Sequence, residues 1–284
     1  MGSSLSALRS SRKLLFQLVV LVFFFFQISA AAVAGGLDLA SGSKDMPIEI
    51  TADNGIEWEK NREILIASGN AKASRGGVTV LAEVLRAYYR KKTTGGTDLY
   101  RLDAAGGVKI FSDTESMEGQ TAVLDFEQAI LKVDGKKVIY KGGSDTIITA
   151  NQQMEYWERQ KMAVARGNAV AIHKGKTLRA DVLKALLRKN KTGRSEVYII
   201  EAFNNVLIVS DKDRLRSDSA IYKLDSGIAT LKGNVSIIRE DHILKGDLAE
   251  INLKTGISKL LTVDSVGSRK ERKRVRGLIY PHRQ

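Results

Sequence analysis

Cysteine is absent from the 284 residues, which excludes disulfide staples, thiolate metal sites and cysteine nucleophiles. Histidine is almost as scarce: His173, His242 and His282 lie far apart, none belongs to a short metal-ligand pattern, and each reads as a surface or turn residue. Proline occurs only at Pro47 and Pro281, so the 233 residues between them never lack a backbone donor for a β ladder. No strand, G-x-G-x-x-G and helix unit surrounds Gly106-Gly107 or Gly142-Gly143, so these glycines read as turns rather than a phosphate cradle. Trp58, Trp157 and the eight tyrosines could stack on sugars or bases, but the two tryptophans fall within one position of each other under the repeat described below, which assigns them to packing near equivalent hairpins.

What is present is 43% apolar residues, ordinary for a folded chain. Residues 1–13 carry Arg9, Arg12 and Lys13 without an acid, an apolar run follows from Leu14 to Ile28, and Ala32-Val33-Ala34 precedes Gly35. The pattern predicts a secretory signal peptide over 1–34, cleaved after Ala34; the competing reading is a retained membrane anchor. Net charge is +13, and without the leader 42 basic residues stand against 32 acidic ones. Seven of those basic residues sit between Arg269 and Gln284 with only Glu271 among them, so the body itself is close to neutral and the high pI does not predict nucleic-acid binding. Residues 263–284 read as a basic, solvated tail, with attraction to anionic lipid phosphates as the functional alternative.

A shift of 98 residues aligns Ile50–Tyr140 with Ile148–Ile238 without a gap, and 29 of the 91 pairs are identical. Ile50-Thr51-Ala52 matches Ile148-Thr149-Ala150, and Gly69-Asn70-Ala71 matches Gly167-Asn168-Ala169. The chain is thus expected to be a tandem duplication, with a short linker at 35–46, one copy at 47–147 and the second at 148–262. Turn signals at Glu59-Lys60-Asn61, Asp134-Gly135, Lys174-Gly175-Lys176, Asp225-Ser226-Gly227, Lys232-Gly233-Asn234 and Lys254-Thr255-Gly256 predict many short antiparallel strands. Val108 and Ile110, then Ala122, Leu124 and Phe126, are apolar at every second residue, as are Val206 and Ile208, then Ala220, Tyr222 and Leu224. Leu178–Leu187 has near-helical spacing, but its place in the repeat predicts a strand. Lys141–Asp145 could be a hinge between the copies or a simple turn.

The carboxylates Asp53, Glu83, Asp181, Asp218 and Asp247 recur at corresponding places. Paired carboxylates can act as acid and base on a glycan, yet an active site needs one asymmetric cluster whereas a structural repeat puts one acid in every unit. They are therefore expected at turns or edges, and the chain is expected not to be an enzyme and to need no cofactor or metal.

The order Pro47-Ile-Glu-Ile-Thr-Ala-Asp53, Ala67-Ser-Gly-Asn-Ala71 and Ala82-Glu83 resembles the OstA-like domain of the LptA family. The second copy resembles it more fully, through Ala165-Arg-Gly-Asn-Ala-Val170, Leu178-Arg-Ala-Asp181, Ser217-Asp-Ser-Ala-Ile-Tyr222, Leu231-Lys-Gly-Asn-Val235 and Lys245-Gly-Asp247. The resemblance covers residues 47 to about 260, although the chain is longer than one such domain and the basic tail is no part of the pattern. It implies an all-β, open, U-shaped β-jellyroll whose interior takes the lipid A acyl chains of lipopolysaccharide in the periplasm. It further implies LptC-like inner-membrane and LptD-like outer-membrane partners, head-to-tail self-association, and no nucleic acid. Positions matching the inward-facing pattern are Ile48, Ile50, Val206, Ile208, Tyr222 and Leu224, and the repeat carries the assignment to Ile148, Val108, Ile110, Leu124 and Phe126. Ile64 and Ile66 join them from alternation alone. Alternatives within reach of the same residues are an LptC-type anchored protein and a repetitive polysaccharide-binding envelope protein.

Overall fold

Period-two alternation without proline leaves the chain one economical way to satisfy its backbone groups, a long antiparallel ladder. The computed structural model describes residues 46–261 and 275–278, apart from 94, 144, 192, 194, 211, 212, 240, 241, 253 and 256; the expected leader, nearly all of the linker and most of the tail lie outside the described residues. Among the described residues every regular element is a strand. The strands are β1 Glu49–Thr51, β2 Ile56–Glu59, β3 Ile64–Arg75, β4 Val78–Lys91, β5 Thr97–Phe111, β6 Glu115–Asp125, β7 Ile130–Asp134, β8 Val138–Gly142 and β9 Thr146–Ala150. They continue as β10 Gln153–Trp157, β11 Met162–His173, β12 Lys176–Lys189, β13 Ser195–Val209, β14 Asp213–Lys223, β15 Ile228–Arg239, β16 His242–Asn252, β17 Ile257–Leu261 and β18 Arg276–Leu278.

All eighteen belong to one antiparallel sheet. Three of its layers are broken strands: β1 and β2 both lie along β3, β7 and β8 both lie along β6, and β9 and β10 both lie along β11. The last layer is β17 with β18, both on β16. Counting each broken strand once, the sheet is a meander of fourteen rungs in chain order. Leu178–Leu187 falls inside β12, so the helical spacing there is overridden by the ladder, as expected from its position. Lys141–Asp145 joins β8 to β9, which pair directly, while β7 pairs β10 across the same step; the hydrogen-bonded sheet runs through the expected hinge without a gap.

Each long rung bends near its middle. On β3, β5, β11, β13 and β15 two successive residues take positive φ: Gly69-Asn70, Gly106-Gly107, Gly167-Asn168, Asn204-Asn205 and Gly233-Asn234. The register slips there, two residues opposing one on the next strand, which is a β-bulge that bends and twists its strand. Glycine and asparagine are the residues that enter this left-handed region at low cost. Gly106-Gly107 and Lys232-Gly233-Asn234, expected as turns, are therefore mid-strand bends within β5 and β15. Asp134-Gly135 likewise only interrupts the β7–β8 rung, whereas Lys174-Gly175 and Asp225-Ser226-Gly227 are hairpin turns as expected.

The recurring acids explain themselves at this bend. Asp53, Asp181 and Asp218 accept the side-chain amides of Asn70, Asn205 and Asn234 at 2.8, 2.9 and 2.9 Å. Asp181, Asp218, Asp247 and Glu83 are the single residues opposing left-handed pairs. These four are corner residues inside the sheet rather than residues of turns or sheet edges, whereas Asp53 lies between β1 and β2 on the end rung, at an edge as expected. Closeness at the corner also demands the glycines, since a Cβ on Gly106 would stand 2.5 Å from the Cβ of Glu83.

Candidate functional site

Bending folds each rung into two arms, and the side chains on the inner side of both arms form one apolar cluster. Its composition follows from register. One ladder runs Ile50, Ala73, Val80, Ile110, Met117, Tyr140, Ile148, Ala171, Leu178, Ile208, Leu215 and Ile237, each the cross-strand partner of the next. On the other arm a second ladder runs Ala67, Leu85, Ala104, Ala122, Val133, Met154, Ala165, Leu183, Ala202, Ala220, Leu231, Ala249 and Leu260. A third, further from the bend, passes through Leu65, Ala87, Leu102, Leu124, Leu131, Tyr156, Ala163, Ala185, Ile200, Tyr222, Ala229 and Ile251. Small and large residues alternate along much of the second ladder, which lets two inner faces interdigitate.

Most of the residues expected to face inward do so. Val108, Ile110, Leu124, Val206, Ile208 and Tyr222 are buried in the shared cluster, and Ile48, Ile50, Phe126, Ile148 and Leu224 are half-buried against it. Ile64 and Ile66 are not part of that cluster: Leu65 and Ala67, which alternate with them, hold its positions, while Ile66 is half-buried beside Arg86 and Ile64 is buried beside Tyr88. Both phases of that segment are apolar, and the alanine phase is the inner one because Ala67 pairs with the inward Leu85. Sequence reasoning also missed the alanines of the second ladder, which carry too little hydrophobicity to mark a strand face. Trp58, expected to pack, is 60% exposed; its indole N–H donates to the Tyr89 hydroxyl and its ring meets Tyr89 edge-on at 6.5 Å. Trp157 is half-buried and donates to Glu155 at 2.7 Å.

Packing density differs along the axis. In the first half the inner residues Val80, Leu102, Ile110 and Val133 are wholly covered. Their second-half neighbours in the same ladders, Leu178, Ala185, Ile200 and Ile237, are only partly covered. At the rims, where the arms end, the Arg75 guanidinium at the end of β3 lies 5.8 Å from the ring centroid of Phe126, which follows β6 at the opposite end. The two rims are thus within side-chain reach in the first half, held by a cation–π contact. The positions 98 residues further on are His173 and Leu224, which cannot make it.

Polar chemistry within this interior is sparse. Burial pushes the Tyr222 hydroxyl up to about 12, and burial with the nearby Glu115 charge pushes Tyr140 above the ordinary tyrosine range. His173, on the rim, donates or accepts through Nδ1 with the Thr146 hydroxyl at 2.9 Å and is held below the usual histidine value by burial, with Lys174 adding to the effect. Among the described residues no group of three or more His, Asp or Glu side chains could hold a metal ion. No helix among them is long and apolar enough to cross a membrane. The arrangement offers a lipophilic surface.

Comparison with known proteins places part of the chain. The sequence model of the family described as LptA/(LptD N-terminal domain) LPS transport protein matches residues 147–257. An uncharacterized protein of Rhizobium meliloti (strain 1021) is 26% identical over 159 residues, covering 48% of this chain and 85% of its own. Among solved structures, LptH of Pseudomonas aeruginosa, the LptA-homologous periplasmic component of its lipopolysaccharide transport device, aligns with a TM-score of 0.41 and 15% identity, over 48% of this chain and 95% of that one.

Proposed function

We propose that this chain, whose residues 147–257 match the LptA/LptD N-terminal family of lipopolysaccharide transport proteins, belongs to that family and carries lipopolysaccharide by its acyl chains between the two arms of the bent sheet. The observation that carries the reading is the set of three apolar ladders unbroken through register, in which Leu178, Ile200 and Ile237 of the second half stay partly uncovered. Each methylene removed from water contributes about 0.8 kcal/mol, so an acyl chain in transit needs continuous apolar contact, and a chain of ladders supplies that without any chemical step. The lipid-binding positions are Ile48, Ile50, Ile148, Val108, Ile110, Leu124, Phe126, Val206, Ile208, Tyr222 and Leu224, with Leu178, Ile200 and Ile237 added from the structure.

Among the described residues no further strand covers either end of the meander. The end rungs expose Ile56, Trp58, Ile257, Leu261 and Leu278, apolar side chains on strands with unused backbone groups. Such edges accept further strands. They fit end-to-end stacking with a second copy and with LptC-like and LptD-like domains, so that the interior continues from one molecule into the next across the periplasm.

The test is photocrosslinking to lipopolysaccharide in cells from a reactive residue at Ile110 or Ile208, which face inward, and at Lys109 or Lys223, which face outward. Crosslinks from the inner pair alone are the expected result. Equal yields from both faces, or none from any position, would overturn the lipid reading.

A further inference from the structure

The outer face of the same sheet carries a feature that transport through the interior does not use. On the arm that ends at His173 and Val209, one outer row reads Arg179, Leu207, Arg216, Ser236, Lys245 and Arg276 in direct cross-strand register. The row beside it reads Val209, Arg214, Ile238, Ile243 and Leu278. Arg179, Arg214, Arg216, Lys245 and Arg276 are all exposed, and no carboxylate stands in either row. The nearest acids along the strands are Asp181, Asp218 and Asp247 at the bend, where Asp181 and Asp218 already accept asparagine amides. Asp213, at the rim, is buried and held by Arg239.

This charge is specific to the second half. Ninety-eight residues earlier, Arg179, Arg214 and Arg216 are replaced by Leu81, Ser116 and Glu118, and Glu118 forms an ion pair with Lys109. The strand that brings Arg276 beside Lys245 also directly follows, in sequence, the basic run Arg269–Arg274.

We propose that this outer face docks the protein on an anionic phospholipid surface, the five cations contacting headgroup phosphates while Leu207, Val209, Ile238, Ile243 and Leu278 meet the boundary of the acyl region. Charge complementarity selects the anionic headgroup. The interleaved residues are aliphatic, which suits a lipid boundary; a nucleic-acid face would use aromatic side chains for stacking, and neither row contains one. The inference stands apart from lipopolysaccharide carriage, because it concerns the opposite face of the sheet and phospholipid rather than acyl chains held between the arms.

Sedimentation of the full chain with phosphatidylcholine vesicles, with and without phosphatidylglycerol and containing no lipopolysaccharide, tests it. The quantity read is the gain in partitioning due to the anionic lipid, which removes any contribution of the N-terminal apolar segment. The wild-type chain gains strongly from phosphatidylglycerol, and the gain collapses with added salt. In the double variant R214S/R216E, which installs the residues the first half carries at these places, the gain falls about thirtyfold or more, at about fivefold per cation lost. Circular dichroism of the variant checks that the sheet persists, and R179L serves as a second, independent variant with a fall of about fivefold. Equal partitioning on neutral and anionic vesicles, an unchanged gain in both variants, or capture of an oligonucleotide in preference to anionic vesicles would each overturn the proposal.

Discussion

The strands β3–β6 and β11–β14 have identical lengths of 12, 14, 15 and 11 residues, and their bends fall at equivalent places, yet they bury their interiors differently. The first run packs the more tightly: Ala67, Val80, Leu102 and Ile110 are wholly covered, and Arg75 reaches Phe126 across the rims. The second keeps the same backbone frame with looser inner faces, and it is this part that the transport family's sequence model matches. One frame can therefore hold a tighter or a looser set of inner side chains, and side-chain volume and rim contacts decide which.

The sharpest way to break that comparison is to truncate equivalent inner residues. Ile110→Ala should cost about 4 kcal/mol because nothing can relax into the void, whereas Ile208→Ala, already 7% exposed, should cost only about 2 kcal/mol. Chemical denaturation measures both, and equal losses would mean the halves are packed alike.

At the bends the expected effect is smaller. Gly106→Asn forces a Cβ to within 2.5 Å of the Glu83 Cβ and should cost about 2–3 kcal/mol, while Gly107→Asn, with open space around it, should cost under about 1 kcal/mol despite its positive φ. The second half already uses Asn204-Asn205 at these places, so a neutral Gly106→Asn would show that the two corners are interchangeable.

Alkali separates the halves in another way. Tyr222 is held protonated by burial to about 12, whereas its first-half counterpart is Leu124. An unfolded tyrosine ionises near 10, so the stability tied to Tyr222 is present below pH 10 and is lost as pH rises from 10 through 12. Tyr222→Phe should flatten that part of the pH–stability curve and leave Leu124 variants unaffected. Last, Arg75→Ala should remove about 0.5–1 kcal/mol and raise lipopolysaccharide crosslinking from Ile110, because the rims are no longer held together.

Legibility from sequence followed the strength of the local signal. Val108 with Ile110 and Leu124 with Phe126 alternate cleanly against Lys109 and Asp125, and all four were placed on the correct face. Ile64 and Ile66 misled because their neighbours Leu65 and Ala67 are apolar too, so alternation had no preferred phase and register across to β4 decided it. Alanine carries too little hydrophobic signal to announce a ladder, and only pairing reveals that Ala104, Ala122, Ala165, Ala202 and Ala249 line one arm. The glycines at the bends looked like chain reversals because a turn and a bulge ask for the same positive φ. The basic outer face was invisible for a related reason: Arg179, Arg214, Arg216, Lys245 and Arg276 are scattered through nearly a hundred residues and meet only when the rungs are laid side by side.

Because every long rung bends at the same height, the cross-section of the molecule does not depend on how many rungs it has. At about 4.8 Å per rung, fourteen rungs span on the order of 60 Å, and inserting or deleting one hairpin would change that reach by about 10 Å while leaving the walls, corners and inner ladders intact. The meander is in this sense a ruler graduated in hairpins, and span can be adjusted by gene-level copying without redesigning a single corner.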